Sequence, residues 1–213
     1  MVNISDKEWI IKRYLDRFEK YGLDIKSLAS GNKQRQAIRF NSFIKVCNFD
    51  GHSVLDIGCG FADFYQHLKD NNINVKYTGI DICSPFIDVC KERFPEATFE
   101  VIDFHEDSIV DKFDFIISSQ AFNNNLIDDN NIKVIKDVIK KAYNLSNICC
   151  AVDMVSSYVD YQEDHLFYYN PEEIFRYAKS ITKRVLLKHD YELFEFIILL
   201  FKDFEGWNPS TSV

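Results

Sequence analysis

The stretch VLDIGCGFAD (residues 54–63) decides the fold of this chain. It starts as a short apolar run, reaches Gly58 and Gly60, and leads into a segment with helical character. A second apolar run, residues 75–80, ends in Asp81. A strand, a glycine turn, a helix and a second strand ending in an acid form the layout that binds an adenosine-containing cofactor. The glycines let the backbone approach the ligand, and the acid can accept hydrogen bonds from ribose hydroxyls.

The glycine pattern differs from the dinucleotide fingerprint, because position 63 holds Asp instead of the third glycine of G-x-G-x-x-G. The motif VLDIGCGFAD, followed by GID at residues 79–81, instead resembles the class I S-adenosylmethionine-dependent methyltransferases. FEVIDF (residues 99–104) and FDFIISS (residues 113–119) resemble the third and fourth strands of that family. The resemblance covers about residues 50 to 200 and implies the family's fold and cofactor, but it leaves the methyl acceptor open.

The resemblance also implies a cofactor site. The glycine turn would lie under the methionine part of the cofactor, Asp81 would hold the ribose, and Asp103 would meet the adenine amino group. Asp63 is expected either to cap the next helix or to meet the cofactor's ammonium group. Arg39 is expected either to clamp a carboxylate or to form a surface ion pair. The expected cofactor-binding residues are Arg39, Asp56, Gly58, Cys59, Gly60, Asp63, Asp81, Ile82, Asp103, Phe104, Ser118 and Ser119.

Alternating strand and helix patterns predict an α/β protein of the doubly wound, Rossmann-like class. The predicted strands are 53–57, 75–80, 98–102, 113–118 and 147–154, and the predicted helices between and after them are 62–70, 84–93, 131–143 and 171–180. Two further β-rich runs, 183–188 and 193–202, are joined by so few residues that they must form an antiparallel hairpin. The prediction is a seven-stranded, mostly parallel sheet with helices on both faces and an antiparallel last strand.

Three segments are expected along the chain. Residues 1–48 carry two helical patterns, and in the family that the chain resembles such an extension commonly forms a lid over the acceptor site. Residues 49–205 would form the S-adenosylmethionine-binding domain, and residues 206–213 are expected to be a disordered tail.

Composition narrows the partners. The net charge is −8 and no long basic run occurs, which argues against nucleic acid as a partner. The six cysteines have no C-x-x-C or zinc spacing and are expected to be reduced thiols.

The first ten residues lack the apolar core of a signal peptide, and no apolar run is long enough to span a bilayer. We expect a cytoplasmic protein without membrane attachment, and two acids, Asp128 and Asp129, are too few to predict a metal site.

The methyl acceptor is predicted to be a small molecule. The chain lacks the Asn/Asp-Pro-Pro-aromatic motif of enzymes that methylate base amino groups, and it lacks the Pro-Cys motif of pyrimidine carbon methyltransferases. The loop at residues 158–170 contains four tyrosines and one histidine, which suits a polar or sugar-like acceptor. His165 and Tyr161 are the candidate catalytic residues, since histidine titrates near neutrality and can act as a general base.

Oxygen is the first expected acceptor atom and nitrogen the second. Two other classes of function stay open at the level of sequence. One is a nicotinamide oxidoreductase on a similar fold. The other is a binding module that keeps the cofactor pocket without catalysis. The oligomeric state is not predicted.

Overall fold

The computed structural model describes residues 5–127 and 130–202 of the 213-residue chain. The expected tail at 206–213 and the acids Asp128 and Asp129 lie outside the described residues. The helices are α1 (Asp6–Tyr21), α2 (Lys33–Ile44), α3 (Asp63–Asp70), α4 (Ser84–Arg93), α5 (Asn131–Leu145) and α6 (Pro171–Ile181). The strands are β1 (Ser53–Ile57), β2 (Lys76–Asp81), β3 (Thr98–Val101), β4 (Phe113–Ser118), β5 (Ser146–Val155), β6 (Val185–Lys188) and β7 (Glu195–Phe201).

All seven strands belong to one sheet with the order β3-β2-β1-β4-β5-β7-β6. The first five strands are parallel to their neighbours, and β7 runs antiparallel to both β5 and β6. The predicted fold class and the reversed last strand are therefore confirmed. The chain moves outward from β1 in both directions, so the connections after β1 and β4 diverge and leave a crevice at the carboxyl ends of these two strands.

Alternate side chains of each strand point to opposite faces, and each face is covered by helices. In β5, Cys149 and Ala151 pack into the core beneath α2, α3 and α4, whereas Cys150 and Val152 pack beneath α5 and α6. Both cores are rich in branched and aromatic side chains. The central strands are apolar on both faces for this reason, which is the pattern that a parallel sheet requires.

The N-terminal helices are built from strong local signals. Ser5 caps α1 in a capping box with Glu8, and Gly22 follows the last residue of the helix. Phe18 of α1 packs against Phe61 and Phe86, with ring centroids 5.5 Å apart in both pairs. A short 3-10 helix at Ile25–Leu28 was not predicted. These contacts set α1 over the carboxyl edge of the sheet.

A buried ion pair ties α2 to the last strand. Arg39 Nε donates to Glu195 Oε2 (2.7 Å) and its Nη2 donates to Oε1 (3.1 Å), in a forked arrangement. Arg39 is 2% exposed and Glu195 is 3% exposed. Arg39 also donates to Ser30 Oγ (3.0 Å) and lies 4.0 Å from the buried Asp153. The ion pair considered for Arg39 exists, but it is buried instead of lying on the surface.

Removing the arginine should destabilise the fold strongly. Arg39→Met leaves the carboxylates of Glu195 and Asp153 buried without their cation, a change that typically costs about 3–5 kcal/mol. Arg35→Met is the matched control, because Arg35 is half exposed and lies 3.8 Å from the same Glu195; it should cost about 0–1 kcal/mol. Urea unfolding followed by circular dichroism measures both. Equal losses for the two variants would contradict this account.

Candidate active site

The glycine turn after β1 is shaped by two backbone positions that exclude a side chain. Gly58 and Gly60 have φ angles of 71° and 55°, in the left-handed region that favours glycine. A Cβ on Gly58 would lie 2.4 Å from the Ala121 side chain, and one on Gly60 would lie 2.9 Å from Leu28. The turn is therefore pressed between the loop after β4 and the N-terminal segment, and its backbone forms part of a cavity wall.

Asp81, at the end of β2, holds the turn in place. Its Oδ2 accepts from the Gly60 N–H (3.0 Å) and its Oδ1 accepts from the Cys83 N–H (2.9 Å). Each carboxylate oxygen keeps a second lone pair, so Asp81 retains the capacity to accept from a ligand. Asp56 lies deeper and accepts from the Tyr77 hydroxyl. Burial raises the pKa of Asp81, and burial raises that of Asp56 to about 7.

The turn opens into a cavity of about 320 Å³, the first cavity, at the carboxyl ends of β1, β2 and β4. Its wall is strongly acidic, with Lys7 the single lysine or arginine among the described residues that line it. The acids that line the first cavity are Asp6, Asp56, Asp63, Asp81, Asp103 and Glu106. Such a wall favours a ligand with positive charge.

Most of the residues expected to bind the cofactor meet at this cavity. The predicted residues that line it are Asp56, Gly58, Cys59, Gly60, Asp63, Asp81, Ile82, Asp103, Phe104 and Ser119. Two others lie elsewhere: the Ser118 hydroxyl is buried and donates to the Ile57 carbonyl (3.2 Å), and Arg39 is engaged with Glu195. The structure places these side chains, and their roles toward a cofactor stay predictions.

Asp63 does not cap the helix that it begins. Ala62 is the residue before α3, and no side chain caps the helix there. The Asp63 carboxylate instead accepts from Gln36 (3.2 Å) and Arg93 (3.2 Å). Of the two expectations for Asp63, capping is wrong because its side chain turns away from the first helical N–H groups and toward α2 and α4.

Helix α1 closes one side of the first cavity. Lys7 makes an ion pair with Asp103 (3.0 Å), while Asp103 Oδ1 accepts from the backbone N–H groups of His105 (3.0 Å) and Glu106 (3.3 Å). Ile10 and other residues of α1 complete the wall. The glycine motif at residues 54–63 gives no indication that α1 forms part of the cavity wall.

A second cavity, of about 240 Å³, adjoins the first. His165 and Tyr161 line this second cavity but do not line the first. Tyr161 is 72% exposed, whereas His165 is partly buried and burial lowers the pKa of its imidazole. The charged residues that line the second cavity are Arg13, Arg35, Arg39, Asp160, Glu163 and Glu195, so its wall is balanced in charge.

The two cavities share a boundary that sequence reasoning largely missed. The described residues that line both are Tyr14, Leu28, Ser30, Gln120 and Asn124. They come from α1, from the segment before α2 and from the loop after β4. The unusual Asn-rich composition of that last loop was the one local signal for this boundary.

An acidic cavity over a glycine turn, at the switch point of a parallel sheet, defines an α/β protein built to hold a nucleoside-like cofactor. Comparisons with known proteins specify the family. The family model described as "Methyltransferase domain" matches residues 54–143. A putative methyltransferase of Mycobacterium tuberculosis is 30% identical over 162 residues, which cover 72% of this chain and 95% of that protein.

The chain therefore belongs to the class I S-adenosylmethionine-dependent methyltransferases. A malonyl-[acyl-carrier protein] O-methyltransferase of Acetivibrio thermocellus is 30% identical over 87 residues, covering 38% of this chain and 31% of that protein. The fold is similar to that of magnesium protoporphyrin IX methyltransferase from Synechocystis with bound S-adenosylhomocysteine, with a TM-score of 0.65 and 13% identity, over 92% of this chain and 98% of that one. In the described part of the chain, no helix combines the length and apolar character needed to cross a membrane.

The buried Asp56 should make stability fall as pH rises. Its pKa is about 7 in the folded protein and about 4 in the unfolded chain, so between these values the folded state binds more protons. Stability linked to this group is therefore greatest below about pH 4 and is lost by about pH 7. Asp56→Asn keeps an oxygen for the Tyr77 hydroxyl and removes the titration. Melting temperatures should show a smaller fall across this range for the variant than for the wild type, and parallel curves would contradict the assignment.

Proposed function

We propose that the chain transfers a methyl group from S-adenosylmethionine in the first cavity to an oxygen atom of a small polar molecule in the second. The supporting observation is the contact between the two cavities. The first is acidic and floored by the glycine turn, the second is balanced in charge, and five residues line both. Two ligands placed in them would meet at the boundary formed by Tyr14, Gln120 and Asn124.

The residues at the first cavity fit a sulfonium nucleoside. Its acidic wall suits a ligand with a sulfonium and an ammonium group. Asp81 keeps lone pairs for ribose hydroxyls. Asp103 lines the same cavity, as its expected contact with the adenine amino group requires. The backbone of Gly58 and Gly60 leaves room that any side chain would fill.

When bound, S-adenosylmethionine supplies a methyl group on an already activated leaving group. The chain then has three tasks: to hold both ligands in line, to exclude water and to keep the acceptor deprotonated. The first two are supported by the adjoining cavities, since Tyr14 and Asn124 line both of them. Family membership decides against the nicotinamide oxidoreductase, and oxygen is supported by the relative named as an O-methyltransferase.

The N-terminal helices fit the proposed role of a lid. Asp6 accepts from the backbone N–H of Ile127 (2.7 Å), Lys7 pairs with Asp103, and Arg13 donates to Asn124. All three contacts join α1 to loops at the carboxyl edge, beside the apolar packing of Phe18 on Phe61 and Phe86. Cofactor exchange would then require these polar contacts to open.

The six cysteines, all free and buried, support the expected cytoplasmic location.

Binding and turnover test this function separately. The purified full-length chain should bind S-adenosylhomocysteine in calorimetry, and a ligand at 100 times its Kd should stabilise the fold by about 2.7 kcal/mol. With tritium-labelled S-adenosylmethionine and a panel of hydroxyl, carboxyl and amine compounds, label should move to an oxygen compound. Binding without transfer to any compound would favour a cofactor-binding module instead.

Asp81 should control cofactor affinity. Asp81→Asn removes the negative charge that holds ribose hydroxyls, so the Kd for S-adenosylhomocysteine should rise about 10- to 100-fold, as expected for hydrogen bonds to a charged group. Asp88→Asn is the matched control, since Asp88 lies on the exposed face of the adjoining α4. Calorimetry measures both, with circular dichroism to confirm folding. An unchanged Kd in a folded Asp81 variant would remove Asp81 from the site.

A further inference from the structure

Asn123 presents a buried hydrogen-bond donor without a partner. Its side chain is 3% exposed, and Nδ2 is the one buried side-chain nitrogen or oxygen in the described part of the chain that has no hydrogen-bond partner. Oδ1 accepts from the Val155 N–H (3.1 Å), which fixes the orientation of the amide. Asn123 also lines the second cavity. A buried unpaired donor is costly, so this N–H group indicates a ligand that brings an oxygen.

Arg13 presents a cation without a counterion beside the same cavity. Its Nη1 donates to the neutral Asn124 side chain, and among residues 5–127 and 130–202 no carboxylate lies within ion-pair distance of it. The other charged residues discussed for this wall either have an ion-pair partner or are exposed to solvent. Arg39 pairs with Glu195, Glu163 faces His165 at 3.4 Å, and Asp160 is exposed to solvent. Arg13 therefore favours a negatively charged group next to Asn124.

The boundary between the cavities contains no general base. None of the five residues that line both cavities is a carboxylate or a histidine. Burial raises the pKa of the Tyr14 hydroxyl, so Tyr14 stays protonated near neutral pH and does not act as a base there. His165 and Tyr161 line the second cavity but are not among the residues that line both cavities. An acceptor that reacts here must therefore already be deprotonated when it binds.

We propose that the acceptor is a carboxylic acid, that its carboxylate is held by Asn123 and Arg13, and that the product is a methyl ester. This inference rests on the proposed methyltransferase function and names its substrate class. One carboxylate oxygen accepts from the two side chains, and the other forms a bond to the methyl carbon. The bond from that carbon to the sulfonium sulfur breaks as sulfur keeps the electron pair, and no proton is released.

Other acceptors fit these groups less well. An alcohol or phenol would need a base at the boundary to take its proton. An ammonium group would be repelled by Arg13 and would offer no acceptor to Asn123 Nδ2. A carboxylate is deprotonated above about pH 5 without any help from the protein, since its ordinary pKa is about 4.

Matched compounds test the substrate class. The protein saturated with S-adenosylhomocysteine is mixed with benzoate, phenylacetate, hexanoate or succinate, and with the amide and alcohol of each, and the melting temperature is followed. The same set is incubated with tritium-labelled S-adenosylmethionine. We expect at least one acid to raise the melting temperature above its amide and alcohol, and its label to be released as methanol by mild alkali, as methyl esters require.

Variants locate the carboxylate. Asn123→Asp keeps the oxygen that accepts from Val155 and replaces the free donor with an acceptor, and Arg13→Met removes the charge. Each should weaken binding of the acid about 10- to 100-fold. Asn123→Asp should also leave the Kd for S-adenosylhomocysteine unchanged, because Asn123 does not line the first cavity. Lys12→Met, on the exposed face of the same helix, should change neither value.

The pH profile separates this proposal from base catalysis. With a carboxylate acceptor, the wild type and His165→Gln should have the same pH profile of turnover between about pH 6 and 9, because the acceptor is ionised throughout and the titration of Asp56 and Asp153 near pH 7 is common to both proteins. A rising limb that disappears in His165→Gln would overturn the proposal, and so would a label stable to alkali or acids that bind no better than their amides. Failure to bind S-adenosylhomocysteine would overturn the methyltransferase function itself, so the two failures are distinguishable.

Discussion

The hydrogen bond from the Gly60 N–H to the Asp81 carboxylate is the constraint on which the site depends. It joins the glycine turn after β1 to the end of β2, and the same carboxylate accepts from Cys83 at the start of α4. One side chain thereby fixes the relative positions of two strand ends and two helices. The turn can then lie against Ala121 and Leu28 only because positions 58 and 60 lack a Cβ. The first cavity is the space that this arrangement leaves.

A network of buried charged residues positions two of the residues that line both cavities. Arg39 donates to Ser30, and Asp153 accepts from Gln120, so both of these boundary residues are held by the same group of buried charges. Burial and the nearby Glu195 carboxylate raise the pKa of Asp153 to about 7, against the opposing effect of Arg39. Gln120 has a φ angle of 66°, an uncommon value for a residue with a side chain. Its position at the boundary is thus set by the network.

Local patterns were enough to predict most of the fold. The bounds of β1 and α4 were predicted without error, because an apolar run between loops and a helix between turn residues are both short-range signals. The last two strands followed from the brevity of their connection. The glycine turn and Asp81 were found for the same reason, since the motif that builds them is contiguous or nearly so in sequence.

The second cavity depends on contacts between residues far apart in the chain, and the sequence alone does not show which of these residues meet. Arg39 and Glu195 are 156 positions apart, and nothing local distinguishes Glu195 from the other acids of the chain. Asn123 stands among three consecutive asparagines, and only the packed fold reveals which of them has a donor left over. His165 was singled out by its chemistry, and only the packed fold shows that it lines the second cavity and not the first. Local helix signals in α1 likewise could not place Lys7 beside Asp103.

The pairing of Arg39 with Glu195 also limits how this architecture can be rearranged. Helix α2 supplies the arginine and β7 supplies the carboxylate, so the N-terminal helices are not a detachable module added to a finished core. Grafting a different N-terminal segment onto the sheet would leave Glu195 and Asp153 buried without the Arg39 cation unless β7 changed with it. Diversification of the region that faces the acceptor is therefore coupled to β7, and recombination between relatives would succeed most readily when both pieces come from one parent.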